Sequence, residues 1–273
     1  LFVSPRVPYA NILSTIVASP TAIDTDADGS VNSVYVADLD GRLYRLDVSN
    51  SVLSSWTFTT IYTDYSNYPI ITKPAVWVNP FSDVKAPQIY FGTGGDDAAP
   101  ANRDYSFVAL TDLGSKGVTV DWYMGDPTAL NITSDKKLGD LGTGYKVWAD
   151  PVVADFTAYF STLPGSIENV NPCLNLDAAG RLYARQLRYA SGIAVGGSAL
   201  RSSSSVAPEY LQMVSKARRA VTLGEVQRTA APESISKREV FIQEYNSTIE
   251  MLANPVGSLL QIKSWREVYQ VIR

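Results

Sequence analysis

Short runs of β-forming residues, separated by tight turns, recur along most of this chain, and they constrain its fold more than any other feature. Three groups of such runs lie at 33–63, 69–125 and 146–192. The first group contains Gly41-Arg-Leu-Tyr44, and the third contains the same four residues as Gly180-Arg-Leu-Tyr183. Such an internal sequence repeat is typical of a repeat architecture. A repeat of four short antiparallel strands is the blade of a β-propeller. We therefore predict an all-β, β-propeller-like fold.

The second group shows the repeat most completely. Its alternating apolar residues predict four strands, at 73–79, 88–93, 105–111 and 118–124. In the first group, β-type runs flank the dipeptide Asp40-Gly41. This dipeptide favours a type I′ hairpin turn.

The number of strand groups does not decide whether the propeller forms a closed ring. A closed propeller usually has four to eight blades, whereas the chain shows three groups and a terminal hairpin at about 240–272. Residues 193–239 favour strand and helix equally. We predict a lead-in segment at 1–23 and one modified, possibly partial, propeller domain at 24–273. An incomplete ring leaves strand edges unpaired, so we expect another chain, or the rest of a longer precursor, to cover them.

The most specific chemical signal is an acidic loop just before the first group. Residues 24–32 read Asp-Thr-Asp-Ala-Asp-Gly-Ser-Val-Asn. Alternate acidic side chains before a glycine place oxygen atoms around a Ca²⁺ ion, and the glycine takes the tight turn. We predict one bound Ca²⁺, with ligands from the carboxylates of Asp24, Asp26 and Asp28, the Ser30 carbonyl oxygen and the Asn32 side-chain oxygen.

A β-type run follows this loop, so the hypothesis is a calcium loop that leads into a strand. It is not an EF-hand, because position twelve, where that motif has a bidentate Glu, is Tyr35. The alternative is an acidic surface turn of the Asx type. Three carboxylates without a cation would repel one another, which favours calcium. A further hypothesis, with a spacing that fits no known loop, places a second cation among Asp96, Asp97, Asn102 and Asp104.

Composition argues against catalysis. The chain contains no histidine, which excludes His-based triads and His metal sites. It shows no P-loop, dinucleotide fingerprint or nucleophile elbow, and none of the repeated tryptophan motifs of quinone-binding propellers. Acidic residues such as Asp121, Asp140 and Asp150 leave a glycosidase with paired carboxylates as the alternative. We expect no enzymatic activity and no cofactor other than calcium.

Charge, hydropathy and cysteine content limit the possible partners. The net charge of −4 gives no excess of positive charge that would favour binding to nucleic acid or to an anionic membrane. No apolar run approaches the about 20 residues of a membrane helix. The single cysteine, Cys173, cannot form an internal disulfide; we expect it to be buried and inert, with pairing to another chain as the alternative. The chain begins Leu1-Phe2-Val3 without a signal sequence, so we expect a portion of a longer secreted protein.

Five motifs in order resemble the C-terminal domain of the PilY-type pilus biogenesis and tip adhesin proteins. The acidic loop and the strands that follow it, up to Asp47, match the pattern D-x-D-x-D-G…V-Y-x-x-D-L-x-G-x-L-Y-R-x-D. The other matches are Pro69-Ile-Ile-Thr-Lys-Pro74, Ile89-Tyr-Phe-Gly-Thr-Gly94, Tyr159-Phe-Ser-Thr-Leu-Pro164 with Pro172-Cys173 downstream, and Ser264-Trp-Arg-Glu267. Together they span about residue 18 to the end of the chain.

The resemblance implies an extracellular, calcium-binding protein of the cell surface or pilus tip. It implies that the domain supports type IV pilus extension against retraction, that calcium switches this support, and that the protein adheres to surfaces. Its partners would be minor pilins or the remainder of its own precursor. Asn32 stands where the family usually has Asp, so we expect a weaker calcium site. The alternatives are a structural subunit of an extracellular filament and a cell-surface hydrolase built on a propeller.

Overall fold

The computed structural model describes residues 14–79, 86–96, 98–129, 132–154, 157–164 and 180–187, together with the backbone of four later strands. Within these residues the regular secondary structure consists of sixteen β-strands and three single-turn 3₁₀ segments. The fold is all-β, which confirms the prediction from the sequence. No helix in this described part is long and apolar enough to cross a membrane.

The first sheet is an antiparallel meander in the order β1-β2-β3-β4. Its strands are β1 (Thr21–Ile23), β2 (Ser33–Ala37), β3 (Arg42–Asp47) and β4 (Thr57–Thr63). β1 lies at the end of the predicted lead-in segment and pairs Ala22 with Val34. It therefore supplies the fourth strand, which is missing from the predicted group at 33–63.

The second sheet has the order β5-β6-β7-β8. Its strands are β5 (Ala75–Val78), β6 (Pro87–Gly92), β7 (Ser106–Asp112) and β8 (Val118–Gly125). Each overlaps the strand predicted for it. Period-two alternation and flanking Gly and Asp residues were sufficient here, because each strand of the meander pairs with its neighbour in sequence.

Two further sheets follow along the chain. The third joins β10 (Val152–Ala154), β11 (Thr157–Pro164), β12 (Arg181–Gln186) and β13 (Leu211–Gln212), with β9 (Tyr145–Lys146) also paired to β11. The fourth joins β14 (Arg219–Val226), β15 (Lys237–Gln243) and β16 (Ile249–Leu252). The segment at 193–239, where the sequence favours strand and helix equally, contains β13, β14 and the start of β15. Of the terminal hairpin predicted at about 240–272, residues 240–243 and 249–252 belong to β15 and β16, and its other residues, like Cys173, lie outside the described residues.

The second sheet is buried on both faces, and this explains the apolar runs in its strands. Along β7, Val108 and Leu110 belong to a core cluster with Tyr35 and Leu43 of the first sheet. Phe107 and Ala109 belong to a second cluster, with Phe160 and Tyr183 of the third sheet among its members. Successive side chains of a strand point to opposite faces. One strand therefore contributes to both cores, and the sheets stack face to face like the blades of a propeller.

The β2–β3 hairpin differs from the predicted type I′ turn. The backbone pairs Asp38 with Arg42, and Gly41 has φ 75° whereas Asp40 does not have a positive φ. A type I′ turn needs positive φ at both central residues. The Asp38 carboxylate accepts hydrogen bonds from the backbone N–H groups of Asp40 and Arg42, at 3.0 and 2.9 Å. These bonds hold a three-residue loop in place of the two-residue turn.

Antiparallel connections alternate between the two ends of each sheet, and this divides the loops into two sets. The acidic loop at 24–32 joins β1 to β2, and the hairpin at 38–41 joins β2 to β3. These two loops therefore lie at opposite ends of the first sheet. We call the end of the first sheet that carries the acidic loop the acidic-loop end, and the end that carries the 38–41 hairpin the far end.

Asp64 follows β4 and lies in an unusual environment for a carboxyl group. Its side chain is fully buried; Oδ1 accepts bonds from Ser66 N and Thr128 Oγ1, both at 2.9 Å. Oδ2 is buried and has no partner among the described residues. Burial raises the pKa of Asp64 above its ordinary value, because a buried carboxyl resists ionisation.

We expect this carboxyl to make the fold less stable as pH rises. Above pH 4 the unfolded chain releases the proton, whereas the folded chain retains it up to the raised pKa; the stability contribution is therefore lost as pH rises through that window. Thermal melting between pH 4 and 7 should show a smaller loss for Asp64→Asn than for the parent chain. Asp135, fully exposed, has a pKa lowered by its bond to Thr133, so Asp135→Asn should not reduce the loss. Equal pH slopes for all three chains would contradict this explanation.

Candidate metal site

The candidate metal site is the acidic loop between β1 and β2. The loop is closed at its base by main-chain hydrogen bonds, from Asn32 N to the Ile23 oxygen at 3.1 Å and from Val48 N to the Asn32 oxygen at 3.0 Å. Both strands that carry the loop are therefore anchored in the first sheet. The loop therefore projects from the edge of the sheet on two paired strands.

The structure brings together the three predicted carboxylates. One ligand oxygen from each of Asp24, Asp26 and Asp28 lies within 4.8 Å of the other two. Asp24 is half-buried at the base of the loop, while Asp26 and Asp28 are exposed. Oxygen atoms at this spacing could surround one cation, with its open side facing solvent.

Main-chain hydrogen bonds to Asp24 and Asp28 shape the loop. Asp24 Oδ1 accepts from Ala27 N at 2.7 Å and Oδ2 accepts from Gly29 N at 2.7 Å. Asp28 Oδ1 accepts from Ser30 N, two residues on, at 2.7 Å. Such short-range bonds are those of Asx turns, the alternative considered from the sequence. The Asx turns therefore form, and the three carboxylates still converge, so calcium binding stays a prediction.

Two residues of the loop have a left-handed backbone, which bends the chain around the carboxylates. Ala27 has φ 62° and Gly29 has φ 92°. Glycine adopts this conformation without steric cost, whereas alanine does not. The bonds that Asp24 receives from Ala27 and Gly29 hold the bend in place.

The electrostatics of the loop favour a cation. The hydrogen bond from Gly29 N is the main cause that lowers the pKa of Asp24. The pKa of Asp26 is raised, chiefly by its side-chain contact with Asp24, with partial desolvation and the charge of Asp28 adding to it. Close carboxylates raise one another's proton affinity because both resist ionising together. A cation relieves the same repulsion.

The side-chain amide of Asn32 is not oriented as the prediction requires, with its oxygen atom toward the carboxylates. Its Oδ1 accepts bonds from Thr25 N and Thr25 Oγ1, both at 2.9 Å. Its Nδ2 donates to Asp26 Oδ1 at 3.1 Å, so the amide presents its nitrogen to the carboxylates. Coordination through the Asn32 oxygen therefore requires the amide to turn over, and this ligand remains a prediction, as does the Ser30 carbonyl oxygen.

The donor set fits a hard cation. Three converging carboxylates with an open side suit Ca²⁺, which takes six to eight oxygen ligands in flexible geometry. The exposed positions of Asp26 and Asp28 leave room for water molecules to complete that number. No nitrogen or sulfur donor is among the three converging residues, which argues against zinc.

The second hypothetical cation site, in the loop 94–104, is organised differently. Lys146 is fully buried, and its ammonium group donates to the carbonyl oxygens of Asp96, at 2.9 Å, and Ala99. Asn102 and Asp104 are exposed, and Asp97 lies outside the described residues. A lysine therefore binds the main-chain oxygens of this loop. Among the described residues, the carboxylate groups close enough for a metal are those of the acidic loop.

The remaining acidic residues considered for catalysis each have a separate local contact. Asp121 is buried beside the β7–β8 bulge and accepts from Thr111 Oγ1 at 2.7 Å. Asp140 pairs with Lys137 at 2.6 Å. Asp150 accepts from the backbone N–H of Lys73 at 2.8 Å.

Two residues of the sites described above were not anticipated from the sequence. Thr25 braces Asn32, and Lys146 holds the loop 94–104. The run Tyr145-Lys-Val-Trp148 carried a signal for Lys146, since a single lysine within a buried apolar run needs partners. Nothing in the local sequence marked Thr25, because its role depends on a bond to a residue seven positions later.

Comparison with solved structures supports the fold. The crystal structure of the Pseudomonas aeruginosa PilY1 C-terminal domain superposes with a TM-score of 0.55 at 15% identity, covering 88% of this chain and 61% of that chain. A europium-containing methanol dehydrogenase gives a TM-score of 0.44 at 12% identity, covering 84% and 39%. At this identity, the likeness to the PilY1 domain shows a shared β-propeller-like fold. The chain spans about three fifths of that domain.

Sequence comparisons add no further assignment. No known protein-family profile matches this chain, and no curated protein matches it. The motif resemblance to PilY-type proteins is therefore supported at the level of fold.

Proposed function

We propose that this chain is a calcium-binding, β-propeller-like module of a type IV pilus biogenesis or tip protein. The observation that carries the proposal is the convergence of Asp24, Asp26 and Asp28 within 4.8 Å. The ordered motifs of the sequence and the fold shared with the PilY1 C-terminal domain support the pilus role. The module would act outside the cell, at the pilus tip or outer surface, with minor pilins or the rest of its precursor as partners.

The mechanism is mechanical. Asp24, Asp26 and Asp28 would hold the Ca²⁺ ion, which would supply the positive charge that offsets their mutual repulsion. Asp24 holds the base of the loop through its bond from Gly29, and the exposed Asp26 and Asp28 would complete the protein ligands of the ion. The loop joins β1 to β2, so fixing it fixes the outermost strand of the first sheet. A module stiffened at this edge resists force better, which suits support of pilus extension and adhesion.

Calcium should raise the stability of the chain, and removal of one carboxylate should abolish the effect. At a concentration 100 times its dissociation constant, an ion that binds only the folded state adds about 2.7 kcal/mol. The ligand set suggests a dissociation constant on the order of 10⁻⁶ to 10⁻³ M. Thermal melting in a Ca²⁺ titration should show a rising melting temperature for the parent chain and none for Asp28→Ala.

Asp135→Asn is the matched control, because it removes an exposed carboxylate outside the loop. It should keep the full response to calcium. The proposal is wrong if calcium leaves the melting temperature of the parent chain unchanged, or if Asp28→Ala responds as the parent does.

We further propose that the chain has no catalytic activity. The absence of histidine from the sequence supports this, because it removes the commonest general base. The alternatives are a structural filament subunit and a cell-surface hydrolase. Turnover of glycosides by the purified chain, lost in Asp121→Asn, would favour the hydrolase.

A further inference from the structure

We propose that a cavity at the far end of the first sheet binds a neutral saccharide. The cavity has a volume of about 560 Å³ and lies between the β2–β3 hairpin, the β4–β5 connection and the loop 94–104. Its polar lining includes Asn67, Tyr68, Asp96 and Arg103. This volume is within the range of small-molecule sites. The acidic loop lies at the opposite end of the same sheet, so this site is separate from the metal site.

The loop 94–104 forms one wall of the cavity, and main-chain hydrogen bonds hold it although residues 101–104 are exposed. Lys146 Nζ donates to the carbonyl oxygens of Asp96 and Ala99. Gly144 N donates to the Arg103 carbonyl oxygen at 2.7 Å, and the Tyr105 hydroxyl donates to the Pro100 carbonyl oxygen. These bonds tie the loop 94–104 to its surroundings through its main chain. Side chains of the loop remain free to contact a ligand without the entropic cost of ordering the backbone.

Several lining side chains have hydrogen-bonding capacity that the fold does not use. Asp96 Oδ1 accepts from Ala98 N at 2.8 Å, which leaves Oδ2 available. In the described part of the chain, neither the Asn67 amide nor the Arg103 guanidinium makes a side-chain hydrogen bond. An amide, a carboxylate and a guanidinium are planar groups that bind through pairs of parallel hydrogen bonds. Adjacent hydroxyl groups on a sugar ring present such a pair.

The backbone at Asn67 supports a binding role. Asn67 has φ 53°, a left-handed conformation that is uncommon outside glycine. It ends a turn closed by a bond from its own N–H to the Asp64 oxygen at 3.0 Å. Residues in sparsely populated conformations cluster at ligand sites, where the surrounding structure holds them. Asparagine is among the non-glycine residues that adopt this conformation most readily, and at this position it also brings an amide to the cavity.

The charges and the aromatic ring of the cavity select the class of ligand. Asp96 and Arg103 contribute opposite charges that cancel. Because one carboxylate and one guanidinium line the cavity, the lining carries no net charge that attracts an anion or a cation, which suits a neutral polar ligand. Tyr68 is half-buried beside Tyr105, with ring centroids 4.8 Å apart. A ring held in this way offers an apolar face with a polar tip, which suits the C–H face of a sugar.

The test uses the whole purified chain and a panel of neutral disaccharides: maltose, cellobiose, lactose and diacetylchitobiose. Saturation-transfer NMR would detect binding and isothermal titration would measure it. We expect at least one sugar to bind with a dissociation constant on the order of 10⁻³ M or lower. Tyr68→Ala and Arg103→Met should each weaken that binding at least about tenfold. Asn67→Gly should weaken it without lowering the melting temperature, which separates a binding role from a structural one.

Tyr65→Ala is the matched control, because Tyr65 is 56% exposed and does not line the cavity; it should bind as the parent does. The proposal is wrong if no sugar of the panel binds with a dissociation constant of about 1 mM or lower, if Tyr68→Ala and Tyr65→Ala bind equally, or if neutral tripeptides bind in place of sugars. Binding should persist in a calcium chelator, because the acidic loop is at the other end of the sheet. Loss of the calcium response with sugar binding intact would contradict only the calcium proposal, and the converse would contradict only this one.

Discussion

Replacing Gly125 by alanine should lower the free energy of unfolding by about 3–5 kcal/mol, from left-handed backbone strain and overpacking together. Gly125 ends β8 with φ 83°, and its N–H donates to the Gly139 oxygen at 2.9 Å. A Cβ added there would overlap the carbonyl oxygen of Tyr105. Main-chain atoms cannot move aside as a flexible side chain can, so β7 and β8 would have to separate.

Gly117 is the matched control for this substitution. It has φ 88°, almost the same as Gly125, but a Cβ at Gly117 meets nothing within 4 Å. Gly117→Ala should therefore cost only the backbone strain, about 1–2 kcal/mol. Denaturant unfolding followed by tryptophan fluorescence measures both values. Equal losses at the two positions would show that the close approach to Tyr105 is not what requires glycine.

Replacing Lys146 by methionine should lower the free energy of unfolding by about 2–4 kcal/mol, because buried main-chain oxygens lose a charged donor. Methionine keeps much of the length and apolar volume but cannot donate to the Asp96 and Ala99 oxygens. The lysine ammonium also lies 5.7 Å from the Tyr105 ring centre and 5.6 Å from that of Trp148. A cation over aromatic rings adds a further attraction.

Lys137→Met is the control for a lost surface charge. Lys137 is about one third exposed and pairs with Asp140 at 2.6 Å, and exposed ion pairs contribute less than about 1 kcal/mol. Hydrogen exchange provides a second measurement. Amides of residues 94–104 should exchange faster in Lys146→Met and at the parent rate in Lys137→Met. Similar stability and exchange in the two variants would refute a holding role for Lys146.

The acidic loop shows which features of a site the local sequence can predict. Alternate Asp residues and Gly29 predict a turn with oxygens on its inner side, and the three carboxylates do converge. The sequence could not specify the orientation of Asn32, because that depends on competition between Thr25 and the carboxylates for its amide. A spacing pattern therefore indicates which residues approach one another, while hydrogen bonds decide which atoms face the site.

Period-two alternation and turn residues determined the all-β class and the strands of the second sheet, because these are local properties of the chain. Only the tertiary structure decided which distant residues meet. Tyr35 and Asp112 are 77 residues apart and bond at 2.9 Å between the first two sheets; Lys146 reaches Asp96 across 50 residues. The far-end cavity likewise forms from three separate loops. Such contacts arise when sheets stack and bury polar groups that must then find partners, and no sequence interval encodes them.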